Sequence, residues 1–467
     1  MLGALALPRY YGSIEVVSIV SNSVMWFRRD LRLADNEALC AAAKEGSVTP
    51  LFVLDPIFFE RSGAPRLAFL LRNLRELNRS MDGALVVRSG NPVDVVAAVA
   101  QEVGASVVYA AEDFAPYGRS RDTMVDAALH RIGAQLRSVG SAYAVEPGRV
   151  RKANDTPYAV FTPYSKVWLS IGWPTPLAHS KVMWHGAPTV VSEAIPTEPH
   201  CDATLPPAGE DAALNMWEAF RDTALHRYNE TRNNPDINGT SQLSAYLRFG
   251  ILHPRSLLAE LDVSKAHSVF RSELCWREFY ADVLYHQPHS AWENLQLRMN
   301  KMLIDSNATA VKRFEAWCRG ETGFPIVDAG IRQMLATGWM HNRVRMIVAS
   351  FLVKDLHLPW QWGAKFFMRH LVDGDIASNN HGWQWTAGTG TDASPYFRIF
   401  NPISQGERFD PQGTYVRRWI PELGEISNDF VHAPWTTGLL NPYLKPIVDH
   451  AVERQISLDR YKVVLSK

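Results

Sequence analysis

The feature that most constrains the fold is the alternation, over residues 24–145, of short β-rich runs with stretches of helical spacing. The β-rich runs are residues 24–27, 49–54, 84–87 and 106–110, and the helical stretches are residues 36–44, 65–80, 92–103 and a helix that opens near Gly118. Such alternation predicts βαβ units, in which a parallel sheet is covered by helices on both faces. We therefore predict a Rossmann-like α/β domain over residues 24–145, although no G-x-G-x-x-G fingerprint follows the first run.

The rest of the chain has a different character. Residues 146–210 are rich in proline and show little periodicity, which predicts a long connector between domains. From residue 211 onward the pattern is helical and predicts an all-α domain over residues 211–467. Its predicted helices are residues 211–229, 241–249, 254–261, 269–285, 311–319, 325–337, 341–356 and 362–372. Residues 1–23 lack the leading positive charge of a signal peptide, so we expect a loose extension there.

Composition excludes several classes of protein. Lysine plus arginine and aspartate plus glutamate number 48 each, which excludes a globally basic nucleic-acid binder but allows a local basic patch. The four cysteines form no C-x-x-C pair, which argues against a zinc ribbon or disulfide scaffold and predicts a reducing, cytoplasmic location without a metal site. No run of about 18 apolar residues exists, so we predict no membrane span.

Three polar segments of the helical region are candidates for a binding site. Residues 239–244 (GTSQLS) place hydroxyls at a helix start, where they suit a pyrophosphate or simply cap the helix. The cluster of Asp373, Asp375, Asn379 and Asn380 and the basic helix after His341 could equally be solvated surface. The same region holds many of the chain's 15 tryptophans, whose ordinary use is core packing. Taken together, these segments suggest a large planar cofactor and stacking against bases.

These segments belong to a longer series of motifs. In chain order they are WFRRDLR at 26–32, FTP at 161–163, GTSQLS at 239–244, WREFY at 276–280, GFPIVD at 323–328, GWMHNR at 338–343, and DGD at 373–375 with the residues up to Trp385. In kind and order they resemble the photolyase/cryptochrome family, and specifically the class I cyclobutane pyrimidine dimer photolyases. The resemblance runs from about residue 24 to about residue 450.

The resemblance implies that the helical domain binds FAD in its reduced form. The phosphate-side contacts of the family are matched here by Tyr228, Thr240, Ser241, Gln242, Leu243 and Ser244, and the flavin and ribose contacts by Arg277, Asn342, Arg345, Asp373 and Asp375. Asn379 matches the residue that faces flavin N5, where a neutral amide favours the fully reduced anionic flavin. An aspartate or a cysteine at that position would resemble plant or animal cryptochromes instead.

The resemblance also implies a substrate, namely a pyrimidine dimer flipped out of UV-damaged DNA. The dimer contacts are matched by Glu273, Trp276, Asn342, Arg343, Met346 and Trp385, and the residues near the DNA backbone by Arg232, Arg343 and Arg398. Enzymes for (6-4) photoproducts place a histidine in this helix, and DASH cryptochromes carry glutamine where Met346 stands. Both comparisons favour a cyclobutane dimer. The main rival from another class is a cryptochrome-like photoreceptor, whose usual mark is a C-terminal tail.

The family's electron-transfer chain and antenna are matched only in part. Trp383 matches the proximal tryptophan and Trp360 the middle one, but residues 302–308 (MLIDSNA) hold no distal tryptophan. We expect photoreduction to be slow or to use another terminal donor, with Trp362 and nearby tyrosines as candidates. Residues 114–122 (FAPYGRSRD) resemble deazaflavin-binding members more than folate-binding ones, so an 8-hydroxydeazaflavin antenna is favoured over methenyltetrahydrofolate. A monomer without an obligate protein partner is expected.

Overall fold

The computed structural model describes residues 21–178, 181–393, 395, 397–440 and 443–466. Most of the predicted N-terminal extension, residues 1–20, lies outside the described residues. The first strand begins at Ser21, three residues before the predicted start.

A parallel sheet forms the first part of the fold. Its strands are β1 (Ser21–Phe27), β2 (Gly46–Leu54), β3 (Val86–Ser89), β4 (Val107–Glu112), β5 (Gln135–Ser141) and β6 (Met183–Trp184). The order is β3-β2-β1-β4-β5, with β6 paired to the start of β2, and every pair is parallel. β1 and most of β2 are buried because helices cover both faces of the sheet. The predicted Rossmann-like α/β architecture is confirmed, whereas β5 and β6 were missed.

The helices that follow the strands begin at recognisable caps. They span Glu37–Glu45, Pro56–Arg61, Ala64–Ser80, Pro92–Glu102 and Pro116–His130. Asn36 and Asn91 accept hydrogen bonds from backbone N–H groups of the first turns, and Pro92 occupies a first position that needs no donor.

The segment predicted as an irregular connector contains a helix, Phe161–Ile171. Pro163 interrupts the sequence pattern, but it lies in the first turn, where proline leaves no intrahelical hydrogen bond unmade. Trp168 of this helix is fully buried, and its indole N–H donates to Glu278 Oε2 over 2.6 Å. This contact attaches the connector to the helical region.

The remainder is helical, as predicted. The α-helices are Glu210–Thr223, Tyr228–Thr231, Ser244–Phe249, Pro254–Ala259, Lys265–His286, Ala308–Arg319, Pro325–Thr337, Asn342–Ser350, Trp360–His370, Ile376–Ala387, Pro402–Phe409, Thr414–Trp419 and His450–Leu465. A π-helix spans Phe351–Asp355, and 3₁₀ turns span Leu225–Arg227, Pro288–Ala291, Leu297–Lys301, Pro421–Leu423 and Pro434–Leu440. No strand follows β6 within the described residues.

Several predicted helices have different bounds. The predicted helix at 211–229 ends at Thr223 and gives way to a 3₁₀ turn, and the predicted helix at 341–356 passes into the π-helix after Ser350. The helix Ile376–Ala387 was read only as a polar cluster.

One hydrophobic cluster contains residues of both parts, and further clusters lie within each part. Helix Ala64–Ser80 lies between them, and Phe69 packs against Tyr246 and Phe249 with ring centroids 5.6 and 5.5 Å apart. Across the described ranges, no helix is long and apolar enough to cross a membrane, and no cluster of three or more side chains could hold a metal ion.

Candidate active site

A cavity of about 530 Å³ lies among the helices Lys265–His286, Asn342–Ser350 and Ile376–Ala387, a size typical of small-molecule sites. Most residues predicted from the sequence line it. They are Tyr228, Arg232, Thr240, Ser241, Ser244, Glu273, Trp276, Arg277, Asn342, Arg343, Arg345, Met346, Asp373, Asp375, Asn379, Trp383 and Trp385. The structure therefore gathers the three polar segments, together with residues 228–232 and 273–277, around one cavity.

Four predicted residues lie away from the cavity lining. Leu243 is packed in the core, and Gln242 directs its side-chain amide to Asn238. Trp360 is buried and donates to Asn294 Oδ1 over 2.9 Å. Arg398 lies near Arg343, whose pKa is lowered by burial and then by neighbouring arginines including Arg398, but it does not line the cavity.

Other lining residues were not predicted, among them Asn233, Arg248, Tyr280, Ser378 and Gly382. Arg248 had a sequence signal, because it follows Ser244 by four positions and shares its helix face. Ser378 and Gly382 flank Asn379 and Trp383 on a helix that had not been recognised.

One end of the cavity carries hydroxyl groups from Thr240, Ser241 and Ser244. The predicted helix start at 241 is wrong, because the helix begins at Ser244. The residues before it form a turn in which Gln242 has a positive φ of 52°. This turn leaves three hydroxyls at the cavity wall, as a phosphate-binding end requires.

The middle of the cavity carries ion pairs. Arg345 contacts both carboxylate oxygens of Asp373, at 3.3 and 2.8 Å, and donates from Nε to the Met340 carbonyl. Asp375 pairs with Arg29 at 2.7 Å and Arg248 at 3.8 Å. Burial alone would raise the pKa of Asp375, but the two arginines outweigh it and hold the pKa well below its usual range. Asp375 is therefore ionised, and it also caps the helix Ile376–Ala387.

Two hydrogen bonds fix the orientation of the Asn379 side-chain amide. Its Nδ2 donates to the Ala364 carbonyl over 3.1 Å and to Asn380 Oδ1 over 2.8 Å. Both amide hydrogens are thus used, which leaves Oδ1 as an acceptor at the cavity wall. The side chain can accept a hydrogen bond from a ligand N–H without carrying charge.

The mouth of the cavity combines an aromatic platform with charge. The ring of Trp276 stacks on Phe161, with centroids 3.8 Å apart and planes 7° apart. Glu273, one turn earlier on the same helix, forms an ion pair with Arg232. Burial raises the pKa of Glu273 despite Arg232. Arg343 donates to Asn233 Oδ1 from Nε and from a terminal nitrogen, at 3.2 and 2.7 Å.

Tryptophans extend from the cavity into the helical core. Trp383 is buried, packs against Phe367 at 4.9 Å, and lies 6.2 Å from Trp317 between ring centroids. Phe314 in turn packs against Trp317 at 5.8 Å and Trp362 at 5.2 Å. The predicted candidate Trp362 is therefore linked to Trp383 by a series of ring contacts.

The residues fit a large planar cofactor with a phosphate-bearing tail. A Cβ added to Gly382, at the cavity wall, would meet no atom within 4 Å, so open space faces this glycine. The indole N–H of Trp383, also at the wall, is buried without a protein partner. Hydroxyls at one end, arginine–aspartate pairs in the middle and a neutral amide acceptor match the donor and acceptor pattern of FAD.

Comparisons with known proteins point the same way. Residues 23–181 match the family model described as DNA photolyase, and residues 270–463 match the FAD binding domain of DNA photolyase. A deoxyribodipyrimidine photo-lyase of Vibrio cholerae is 38% identical over 94% of this chain and 99% of that protein. The crystal structure of a bacterial class III photolyase from Agrobacterium tumefaciens has a TM-score of 0.89 and 36% identity over 98% of this chain and all of that chain. A Synechocystis cryptochrome structure has a TM-score of 0.87 and 28% identity over 94% of this chain and 99% of that chain. The family model match and the nearly full-length identity show that this chain belongs to the DNA photolyase family.

Proposed function

We propose that this protein is a light-driven DNA repair lyase that uses FAD to split cyclobutane pyrimidine dimers. The observation that carries the proposal is that one cavity combines FAD-type contacts in its interior with an aromatic and charged mouth. Relatives named deoxyribodipyrimidine photo-lyase cover nearly the whole chain, which supports a repair enzyme over a photoreceptor. The fold alone supports neither, since a cryptochrome shares it.

The chain's own residues would hold the cofactor in three places. Thr240, Ser241 and Ser244 would bind the phosphates, and the pair of Arg345 and Asp373 would contact the flavin and ribose. Asn379 Oδ1 would accept from flavin N5–H. Reduced FAD, when bound and illuminated, supplies the electron that opens the cyclobutane ring, so no acid–base residue need perform the main step.

The mouth would hold the flipped dimer. A damaged dinucleotide stacks poorly and is easier to extrude than intact bases. Trp276 and Trp385 would cover its apolar faces, while Glu273 and Asn342 would hydrogen-bond its polar edges. Arg232, Arg343 and Arg398 would contact phosphates.

The finer assignments extend this proposal. We propose cyclobutane rather than (6-4) specificity, because Asn342 and Met346 line the cavity where a histidine would be expected. We assign no photolyase class, because the sequence motifs resemble class I enzymes whereas the full-length structural similarity is to a class III photolyase. We also propose that the α/β part binds an 8-hydroxydeazaflavin antenna. We propose that Trp383 and Trp360 carry electrons to FAD during photoreduction.

The deciding experiment is repair of an oligonucleotide that contains one thymine cyclobutane dimer. The purified protein is loaded with FAD, reduced and kept anaerobic under blue light, with a dark control and a (6-4) substrate in parallel. We expect light-dependent restoration of the cyclobutane substrate alone. Repair of neither substrate by protein with bound, reduced FAD would refute the proposal and favour a photoreceptor.

A further inference from the structure

Two arginines, Arg232 and Arg343, line the mouth of the cavity, and Arg398 and Arg408 lie near Arg343; the four differ in how their charge is balanced. Burial lowers the pKa of Arg343, and the nearby charges of Arg232, Arg408 and Arg398 lower it further. Among the described residues, no carboxylate lies within 4.0 Å of Arg343, Arg398 or Arg408, and Arg343 is held by the neutral amide of Asn233. Arg232, by contrast, forms an ion pair with Glu273.

The pair of Arg232 and Glu273 faces the solvent opening. Their side chains are 34% and 32% exposed, so DNA at the mouth could reach both. Glu273 stands one helical turn before Trp276, which places the carboxylate beside the aromatic platform. The same carboxylate thus lies next to both the base site and a phosphate-binding arginine.

A paired arginine contributes little to binding of a polyanion. Non-specific affinity comes from counterions released when unpaired cations neutralise phosphates, so a cation already neutralised by a carboxylate gives no such release. Intact DNA keeps its bases stacked and offers Glu273 nothing to bind. An extruded pyrimidine presents imide N–H groups, which a carboxylate accepts.

We propose that Glu273 determines specificity by masking Arg232 from undamaged DNA and releasing it to the backbone only when an extruded dimer occupies the cavity. This inference rests on the proposed function. Base extrusion and phosphate binding are then coupled through one carboxylate, because Glu273 exchanges its arginine partner for the base. Arg343 feels the charge of Glu273 but lies beyond 4.0 Å from its oxygens and is held by Asn233, so it stays available to the backbone of any DNA.

The test measures dissociation constants for an undamaged duplex and a matched duplex with one thymine dimer, at several salt concentrations. Glu273→Gln unmasks Arg232, so we expect about 2–5-fold tighter binding of undamaged DNA and a log–log salt slope steeper by about 0.9. Dimer binding should not gain, so discrimination between the two duplexes falls. The control is Glu230→Gln, which makes the same charge change at an exposed pair with Arg227, 3.8 Å apart and outside the cavity lining.

Two arginine variants make the test independent of how well Glu273→Gln folds. Arg232→Ala should leave the salt slope for undamaged DNA unchanged and weaken dimer binding, whereas Arg343→Ala should lower that slope by about 1. In the double variant with Glu273→Gln, Arg232→Ala should abolish the gain for undamaged DNA. An unchanged affinity for undamaged DNA in Glu273→Gln, or an equal gain in Glu230→Gln, would overturn the inference. A wild-type protein that neither discriminates nor repairs the dimer would refute the proposed function instead.

Discussion

Replacement of Glu278 by glutamine should destabilise the protein in a pH-dependent way. Glu278 is 1% exposed, and its two oxygens accept three hydrogen bonds, from the backbone N–H groups of Ala144 and Val145 and from the indole of Trp168. Glutamine offers only one oxygen, so its NH₂ group would face a buried N–H. The glutamine NH₂ group and the backbone N–H that it faces are then two buried donors without acceptors. At about 1–3 kcal/mol for each unsatisfied donor, we expect a cost of about 2–6 kcal/mol at pH 5.

The same loss should shrink as pH rises. Burial, the largest effect, raises the pKa of Glu278 from 4.5 to about 7, although the N–H donors oppose it. The folded state therefore binds the proton more tightly, so this contribution to stability is fully present below pH 4.5 and is lost as pH rises to about 7. At about 1.4 kcal/mol per pH unit, the wild type loses about 2–3 kcal/mol between pH 5 and pH 8, whereas glutamine does not titrate.

The measurement is the free energy of unfolding in urea at pH 5 and pH 8, with both proteins at one FAD concentration. Because other groups titrate equally in both proteins, the wild-type-minus-variant difference isolates Glu278. Glu315→Gln, at an exposed position, serves as the control and should show no pH-dependent difference. A difference that stays constant would refute the raised pKa of Glu278. A difference that grows with pH would show that the three donors hold the carboxylate ionised.

Two further predictions concern the cavity itself. Trp276→Ala should weaken binding of dimer-containing DNA by about 1–3 kcal/mol, because the indole stacks only on an extruded base, while undamaged DNA should bind as before. Unaltered affinity for dimer-containing DNA in a binding titration would contradict this role. Gly363→Ala would place a Cβ 2.1 Å from Trp383 Cη2, and the indole also contacts Phe367 and Trp317, so we expect stability to fall by about 1–3 kcal/mol and FAD occupancy to fall with it. Thermal unfolding and flavin absorbance measure the two effects against the exposed control Lys365→Ala. Full FAD occupancy and stability would show that the indole can move freely.

The sequence predicted helices best where one face alone is apolar. Helix Lys265–His286 was predicted at residues 269–285, since its buried positions recur at helical spacing. Helix Ile376–Ala387 was missed because it is polar on both sides. Asn379 faces the cavity, while Asn380 and Gln384 donate to the buried carbonyls of Ala291 and Ser290. A helix with functional contacts on one face and buried hydrogen bonds on the other carries no hydrophobic periodicity.

The contacts of the site that the sequence did not predict are those between distant segments of the chain. The motif at residues 26–32 begins in the last two residues of β1, so its arginines belong by position to the α/β part. Arg29 nevertheless reaches across to Asp375, which lines the cavity and caps the helix that carries Asn379. Local patterns could place each residue on its own element but not join them, because residues 29 and 375 pair only after both parts have folded. The ionised state of Asp375, and with it the position of Asn379, therefore depends on the packing of the sheet against the helices.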